Sequence, residues 1–208
     1  MLIVIEGIDG SGKTTLAHSI RNKLKELGVT SEVTGELSRK DAWSVEGKKE
    51  LLAARNKREE YNAVMRARLK HAAEVFDKSK PEMVFLMDRY LPSTIAYQSC
   101  PSIPIGTMYS DHACNALPVP AVVFYIKINP ETAQARMKHR GHQDAIDSRG
   151  EDYFKEVHER FVSGLKVLEQ GYGWTYEMVT GDQHLTDITS QCVGTIMKLV
   201  NQASKECA

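Results

Sequence analysis

The chain has 208 residues, 42% of them hydrophobic, and carries 27 basic and 27 acidic side chains. At roughly 100–200 residues per domain this predicts one domain over 1–208, and the balanced charge gives no basic field for nucleic acid or an anionic membrane. Four cysteines, Cys100, Cys114, Cys192 and Cys207, lie far apart without a C-x-x-C, which excludes a disulfide scaffold and a cysteine zinc site and predicts a reducing, cytoplasmic setting.

The first element is the apolar run LIVIE at 2–6, a strand too short for a signal peptide. A helix follows over 13–27, a strand at 31–34 (SEVT) and a long helical stretch over about 46–77. Next come the strand MVFLM at 83–87, a helix over 93–99, the strand AVVFYIKI at 121–128 and a helix over 131–139. Helices over 150–169 and 184–203 enclose a last strand, TYEMV at 175–179. No run approaches the ~20 apolar residues of a membrane span. Strands that read as continuous apolar runs and alternate with helices predict an α/β three-layer sandwich, a five-stranded parallel sheet flanked by helices. Ligands of such a sheet bind beyond the carboxyl ends of its strands. The polar residues after each run therefore matter most.

Directly after the first strand stands Gly7-Ile8-Asp9-Gly10-Ser11-Gly12-Lys13-Thr14, which fits G-x-x-x-x-G-K-[ST] at every position and opens the helix TTLAHSIRNKLKEL. Gly10 and Gly12 allow the backbone to curl, so that N–H groups from Gly10 through Ser11 to Thr15 point inward at a phosphate, aided by the positive end of the helix. Lys13 reaches the outer phosphates of ATP, and the Thr14 hydroxyl is a ligand for Mg²⁺. A GTPase would need D-x-x-G after an apolar strand and N-K-x-D beyond it. Asp147-Ser148-Arg149-Gly150 lies in a polar stretch and Asn56-Lys57-Arg58-Glu59 misses the second motif. A kinase and a regulatory or assembly ATPase remain.

After the third strand the chain reads FLMDRYLPSTIAYQ, residues 85–98. Asp88 offers a carboxylate toward the metal or its waters, and Arg89 a guanidinium for bidentate phosphate contact. With IEGIDGSGKTT, DRYLPSTIAYQ, a strand followed by NPETAQARM, and RGHQDAIDSRGEDYFKEVHERF, nearly the whole chain resembles the thymidylate kinase family. The resemblance implies transfer of the γ-phosphate of ATP to a deoxypyrimidine monophosphate, most simply dTMP, by a homodimer. It also implies roles: Asp9 to the acceptor 3′-hydroxyl, Arg89 to the acceptor phosphate, Arg68 to a pyrimidine carbonyl. Thr94 and Gln98 fall where the family contacts the base edge, and Ser93 is placed among the acceptor-binding residues. Tyr97 lies where a ring crowds a ribose 2′-hydroxyl. Arg68 is chosen over Arg66 because it lies twenty residues before Asp88, as the family's arginine does.

A lid over about 137–149 follows the fourth strand. Positive charge over the transferring phosphoryl group must come from it, because Gly10 stands where one class of the family carries an arginine. Arg140 and Arg149 are the candidates, with Arg136 nearer the adenine or the donor phosphates. His139 and His142 lack an acid or cysteine at zinc-ligand spacing.

Two departures stand out. The family's loop after the second strand, R-E-P-G-G-T or P-E-R, reads VTGELSRKDAW here, so Glu36 keeps the acid and Arg39 is the substitute for the arginine. Val64 stands where the family places a phenylalanine against thymine. Absence of that ring costs ~1 kcal/mol beyond its area and opens the acceptor choice to dUMP or a 5-modified dUMP unless Tyr61 replaces the ring.

Overall fold

The computed structural model of the chain describes residues 1–76, 82–139 and 151–206. The strands are β1 (Leu2–Glu6), β2 (Ser31–Thr34), β3 (Val84–Asp88), β4 (Val122–Lys127) and β5 (Tyr176–Thr180). All neighbours pair in parallel, in the order β2-β3-β1-β4-β5. The helices among the described residues are α1 (Lys13–Glu26), α2 (Ala42–Ala53), α3 (Lys57–His71), α4 (Leu91–Gln98), α5 (Ile105–Cys114), α6 (Pro130–His139), α7 (Glu151–Tyr172) and α8 (Leu185–Glu206).

β1 takes the central position because all five of its residues are apolar or paired and can be buried on both faces. Ile3 and Ile5 pack with Leu16, Ile20 and Leu24 of α1 and Ile196 of α8, while Leu2 and Val4 pack on the opposite side with Tyr61 and Met65 of α3, Ile95 of α4 and Phe161 of α7. Full burial of each such aliphatic contributes about 1.5–3 kcal/mol. The two cores pin the sheet between helical layers and bring the ends of β1, β2 and β3 together at one edge of the sandwich. No helix among the described residues is long and apolar enough to cross a membrane.

The helical stretch expected over 46–77 is in fact two helices. Ala54 turns extended at ψ 136°, and the Asn56 side chain accepts from the Glu59 amide at 3.0 Å to start α3. Glu59 in turn accepts from the Arg55 amide at 2.9 Å, a reciprocal cap that outweighs helical continuity. α3 then runs on into a π-helical turn, Ala72–Phe76. α5, which follows Pro104 and buries only Met108 and His112, was not anticipated from the apolar pattern.

Candidate active site

The loop between β1 and α1 curls through two residues in the left-handed region, Gly10 (φ 77°) and Gly12 (φ 93°). Gly12 begins α1 without a side-chain cap, and the first turn of α1 has no acid. Its leading N–H groups, including those of Lys13, Thr14 and Thr15, are therefore available to an anion. Ser11 is buried within the curl and its hydroxyl has no partner among the described residues. Lys13 folds back under the loop, donating from Nζ to the Ile8 carbonyl at 2.8 Å. Burial, and then the charge of Arg89, hold its ammonium down at about 8 against the pull of Asp9, Asp88 and Glu6.

At Gly10 the loop runs against α6, and a Cβ there would run into the Ala133 carbonyl oxygen. An arginine cannot be housed at this position while α6 stays in place. Positive charge for the far side of the site must then come from elsewhere. Gly10→Ala is expected to destabilise the fold by about 1–3 kcal/mol, from the left-handed backbone and the clash together. Urea unfolding of the variant measures it, and an unchanged midpoint would show that α6 yields freely. Arg136, one turn beyond Ala133, donates to the Gly181 carbonyl at 3.1 Å, which places it at the turn after β5. Arg140 and Arg149 lie outside the described residues.

β3 delivers Asp88 and Arg89 to the same edge. The Thr14 hydroxyl donates to Asp88 Oδ2 at 2.5 Å, so a hydroxyl and a carboxylate stand side by side at the mouth of the loop. These are hard oxygen donors of the kind Mg²⁺ accepts alongside phosphate oxygens and water. Arg89 adopts φ 71°, unusual for a residue with a side chain. Its guanidinium bonds Asp9 directly, donates to Ser93 Oγ at 3.0 Å and lies over the Tyr97 ring at 5.2 Å. Tyr97 donates its hydroxyl to Asp9 Oδ2 at 3.0 Å. Burial alone would raise the Asp9 carboxyl, but the charges of Arg89 and Lys13 and these hydrogen bonds outweigh it and hold it at about 2. Asp9 is thus an ionised acceptor anchored between the phosphate loop and α4.

Beyond this cluster opens a cavity of about 370 Å³, lined by Asp9, Val64, Arg89, Ser93, Thr94, Tyr97 and Gln98. Tyr153, from the start of α7, closes one side, and Glu36, Lys57 and Glu60 also face the space. Gln98 donates to Glu60 at 3.2 Å, and Lys57 donates to the same carboxylate at 2.9 Å. Tyr61 does not supply a ring in place of Val64. Its hydroxyl is turned away to Asp111 at 2.7 Å.

Arg68 and Arg39 are placed differently from the other acceptor-side residues. Arg68 is 1% exposed and stands behind the cavity wall, donating from Nε and Nη2 to Glu36 at 2.5 and 3.1 Å and from Nη2 to Thr94 at 2.7 Å. Burial raises the Glu36 carboxyl although Arg68 draws it back. Arg39 turns away from the cavity. It donates to Asp41 at 2.6 Å, Glu32 at 3.1 Å and Thr34 at 3.1 Å, and lines a separate depression of about 430 Å³ with Thr14, His18 and Asp88. Arg39, expected on the acceptor side, does not line the cavity, because Glu32 and Asp41 hold its guanidinium at the neighbouring depression.

Among the described residues, Glu6, Lys48, Lys57 and Glu60 are site-facing or site-supporting charges that sequence reasoning missed. Glu6 had a signal, a single acid ending an otherwise apolar strand. Lys57 and Glu60 lie in a highly charged stretch, NKREEYN, whose pattern does not set them apart from their neighbours.

A family model described as thymidylate kinase matches residues 5–173 of the chain. Among curated proteins, the thymidylate kinase of Xylella fastidiosa (strain Temecula1) is 32% identical over 143 residues, covering 68% of this chain and 67% of that protein. The thymidylate kinase of Exiguobacterium sp. (strain AT1b) is 28% identical over 224 aligned residues, covering 97% and 96%. That of Xanthomonas campestris pv. campestris (strain B100) is 31% identical over 144 residues, 68% of this chain and 62% of the relative.

Proposed function

Since the chain belongs to the thymidylate kinase family, and so is a nucleoside monophosphate kinase, we propose that it transfers the γ-phosphate of ATP to a deoxypyrimidine monophosphate, dTMP in the first place. The observation that carries this reading is the junction at Asp9. One carboxylate of the phosphate loop is bonded to both Arg89 and Tyr97, so the donor loop and the acceptor cavity share a wall.

In this reading an acceptor phosphate oxygen attacks the γ-phosphorus in line and the bond from that phosphorus to ADP breaks. The attacking oxygen is already ionised, so no strong general base is needed. The residues position the groups and neutralise charge. Lys13 faces the donor phosphates and Arg89 the acceptor phosphate. Arg140 or Arg149 brings charge over the transferred group from the lid. Asp9 accepts from the 3′-hydroxyl, and the Tyr97 ring leaves no room for a 2′-hydroxyl. Thr14 and Asp88 would hold Mg²⁺, which when bound neutralises phosphate charge. The whole of 1–208 acts as one kinase unit, and a homodimer follows from the family resemblance.

Val64 favours a second reading of the acceptor, dUMP or a 5-modified dUMP beside dTMP. An aromatic ring at this position would add about 0.5–1.5 kcal/mol of stacking, or up to roughly tenfold in affinity for the base, and valine does not supply it. A panel of dTMP, dUMP, 5-hydroxymethyl-dUMP and dCMP in an ADP-coupled assay tests both readings. The expected result is kcat/KM for the three uracil-type acceptors within about tenfold. A preference for dTMP beyond a hundredfold would remove the relaxed acceptor. ADP release from ATP independent of every acceptor monophosphate would point instead to a regulatory ATPase.

A further inference from the structure

Glu6 is fully buried, yet it ends a strand whose other four residues are aliphatic. Its carboxylate is fully engaged with α4. Oε1 accepts from the amides of Tyr90 at 2.8 Å and Ser93 at 3.0 Å, and Oε2 accepts from the Ser93 hydroxyl at 2.6 Å. α4 has no side-chain cap of its own, since its capping position is Tyr90. Glu6 caps it from a distance of more than eighty residues in sequence, satisfying the leading N–H groups that a local serine or aspartate usually takes.

The bond to the Ser93 hydroxyl has a further consequence. A hydroxyl has one proton, and here that proton goes to the Glu6 carboxyl group, which burial raises although the charge of Arg89 and the bonds from Ser93 and Tyr90 draw it back. Ser93 Oγ is left with only lone pairs toward Arg89, whose Nη1 donates to it at 3.0 Å. Arg89 is held on its other arm by Asp9, and it sits at a backbone angle that most side chains avoid. Glu6 itself does not line the acceptor cavity, whereas Arg89 and Ser93 do.

We infer that Glu6 is a positioning residue for the acceptor phosphate: by fixing the polarity of the Ser93 hydroxyl and the start of α4, it orients the Arg89 guanidinium toward the cavity. This deepens the proposed function and rests on its assignment of Arg89. Glu6 touches no substrate in this scheme. In Glu6→Gln the amide nitrogen can face Ser93 in place of an acceptor oxygen. The hydroxyl proton is then freed to turn toward Arg89, where it opposes a donor.

The test is steady-state kinetics on Glu6→Gln, Ser93→Ala and the double variant, with the melting temperature of each recorded. The expected result for E6Q is a KM for the acceptor monophosphate raised at least about tenfold while KM for ATP stays within about threefold. S93A should show the same split, and the double variant should be no worse than the poorer single one, because both changes cut one relay. A merely structural role for Glu6 lowers the melting temperature without separating the two KM values, and that outcome overturns the inference. So do additive effects in the double variant. Should E6Q fail to fold, S93A carries the test through the same split, since it keeps both amide bonds to Glu6, and an unchanged acceptor KM overturns the relay. Failure of the proposed function is distinguishable, since it shows as a wild-type protein that turns over no pyrimidine monophosphate. If the wild type prefers another monophosphate, the comparison is made with that acceptor.

Discussion

Replacing Lys13 with alanine is expected to lower kcat by at least about a hundredfold, the scale on which loss of one preorganised electrostatic contact acts. The side chain is buried under the loop and bonded to the Ile8 carbonyl. Its charge is therefore in a site where water screens little, and its distance from the phosphates is set by the loop and not by a flexible stem. Its ammonium sits at about 8 before any phosphate arrives. Bound phosphate favours the charged form, so binding and charging reinforce each other. Alanine removes this charge but leaves the α1 amides, so ATP is expected to bind more weakly and turnover to fall further than binding. Lys13→Arg should not restore the rate, since a planar fork does not fit a space built around a single ammonium. A K13A variant with wild-type kcat in the ADP-coupled assay would remove Lys13 from the reaction.

The phosphate loop was legible in the sequence because its chemistry is local: strand, curl, lysine, hydroxyl and helix follow one another in thirteen residues, 3–15. The meeting of Asp9, Arg89 and Tyr97 was legible only through a second motif, since the three come from two segments about eighty residues apart. What stayed hidden depends on contacts between segments whose own patterns look ordinary. Glu6 reads as a polar strand end until Tyr90 and Ser93 are seen to point amides at it. The loop after β2 departs from the familiar lettering, and nothing in GELSRKD says that Glu36 faces inward to Arg68 while Arg39 turns outward to Glu32 and Asp41. The break between α2 and α3 is carried by one asparagine cap, a signal easily outvoted by charged, helix-favouring neighbours.

Replacing Arg68 with leucine is expected to destabilise the fold by about 3–5 kcal/mol, the usual cost of removing one partner from a buried pair. Glu36 is 6% exposed and its carboxylate is met by both Nε and Nη2 of Arg68. Without that guanidinium, Glu36 must either stay ionised and unpaired or take up a proton. Burial already raises its carboxyl above the ordinary 4.5, and loss of Arg68 raises it further. In the window between the unfolded value and the raised folded one, the native state binds more protons than the unfolded state. Stability of R68L therefore falls as pH rises through that window and recovers as pH is lowered toward the ordinary carboxylate range. Denaturant unfolding from pH 5 to 8 should show the deficit growing with pH, beyond any trend in the wild type. Adding Glu36→Gln should recover much of the loss and flatten the pH dependence, because no unpaired charge is left behind. The same experiment weighs the two readings of Arg68. If its guanidinium chiefly supports the wall formed by Glu36 and Thr94, stability collapses and the double variant restores it. If it chiefly serves a base carbonyl, R68L keeps its unfolding midpoint and loses only acceptor affinity. The three short bonds into that wall argue for the first outcome, with any base contact added to a side chain already held in place.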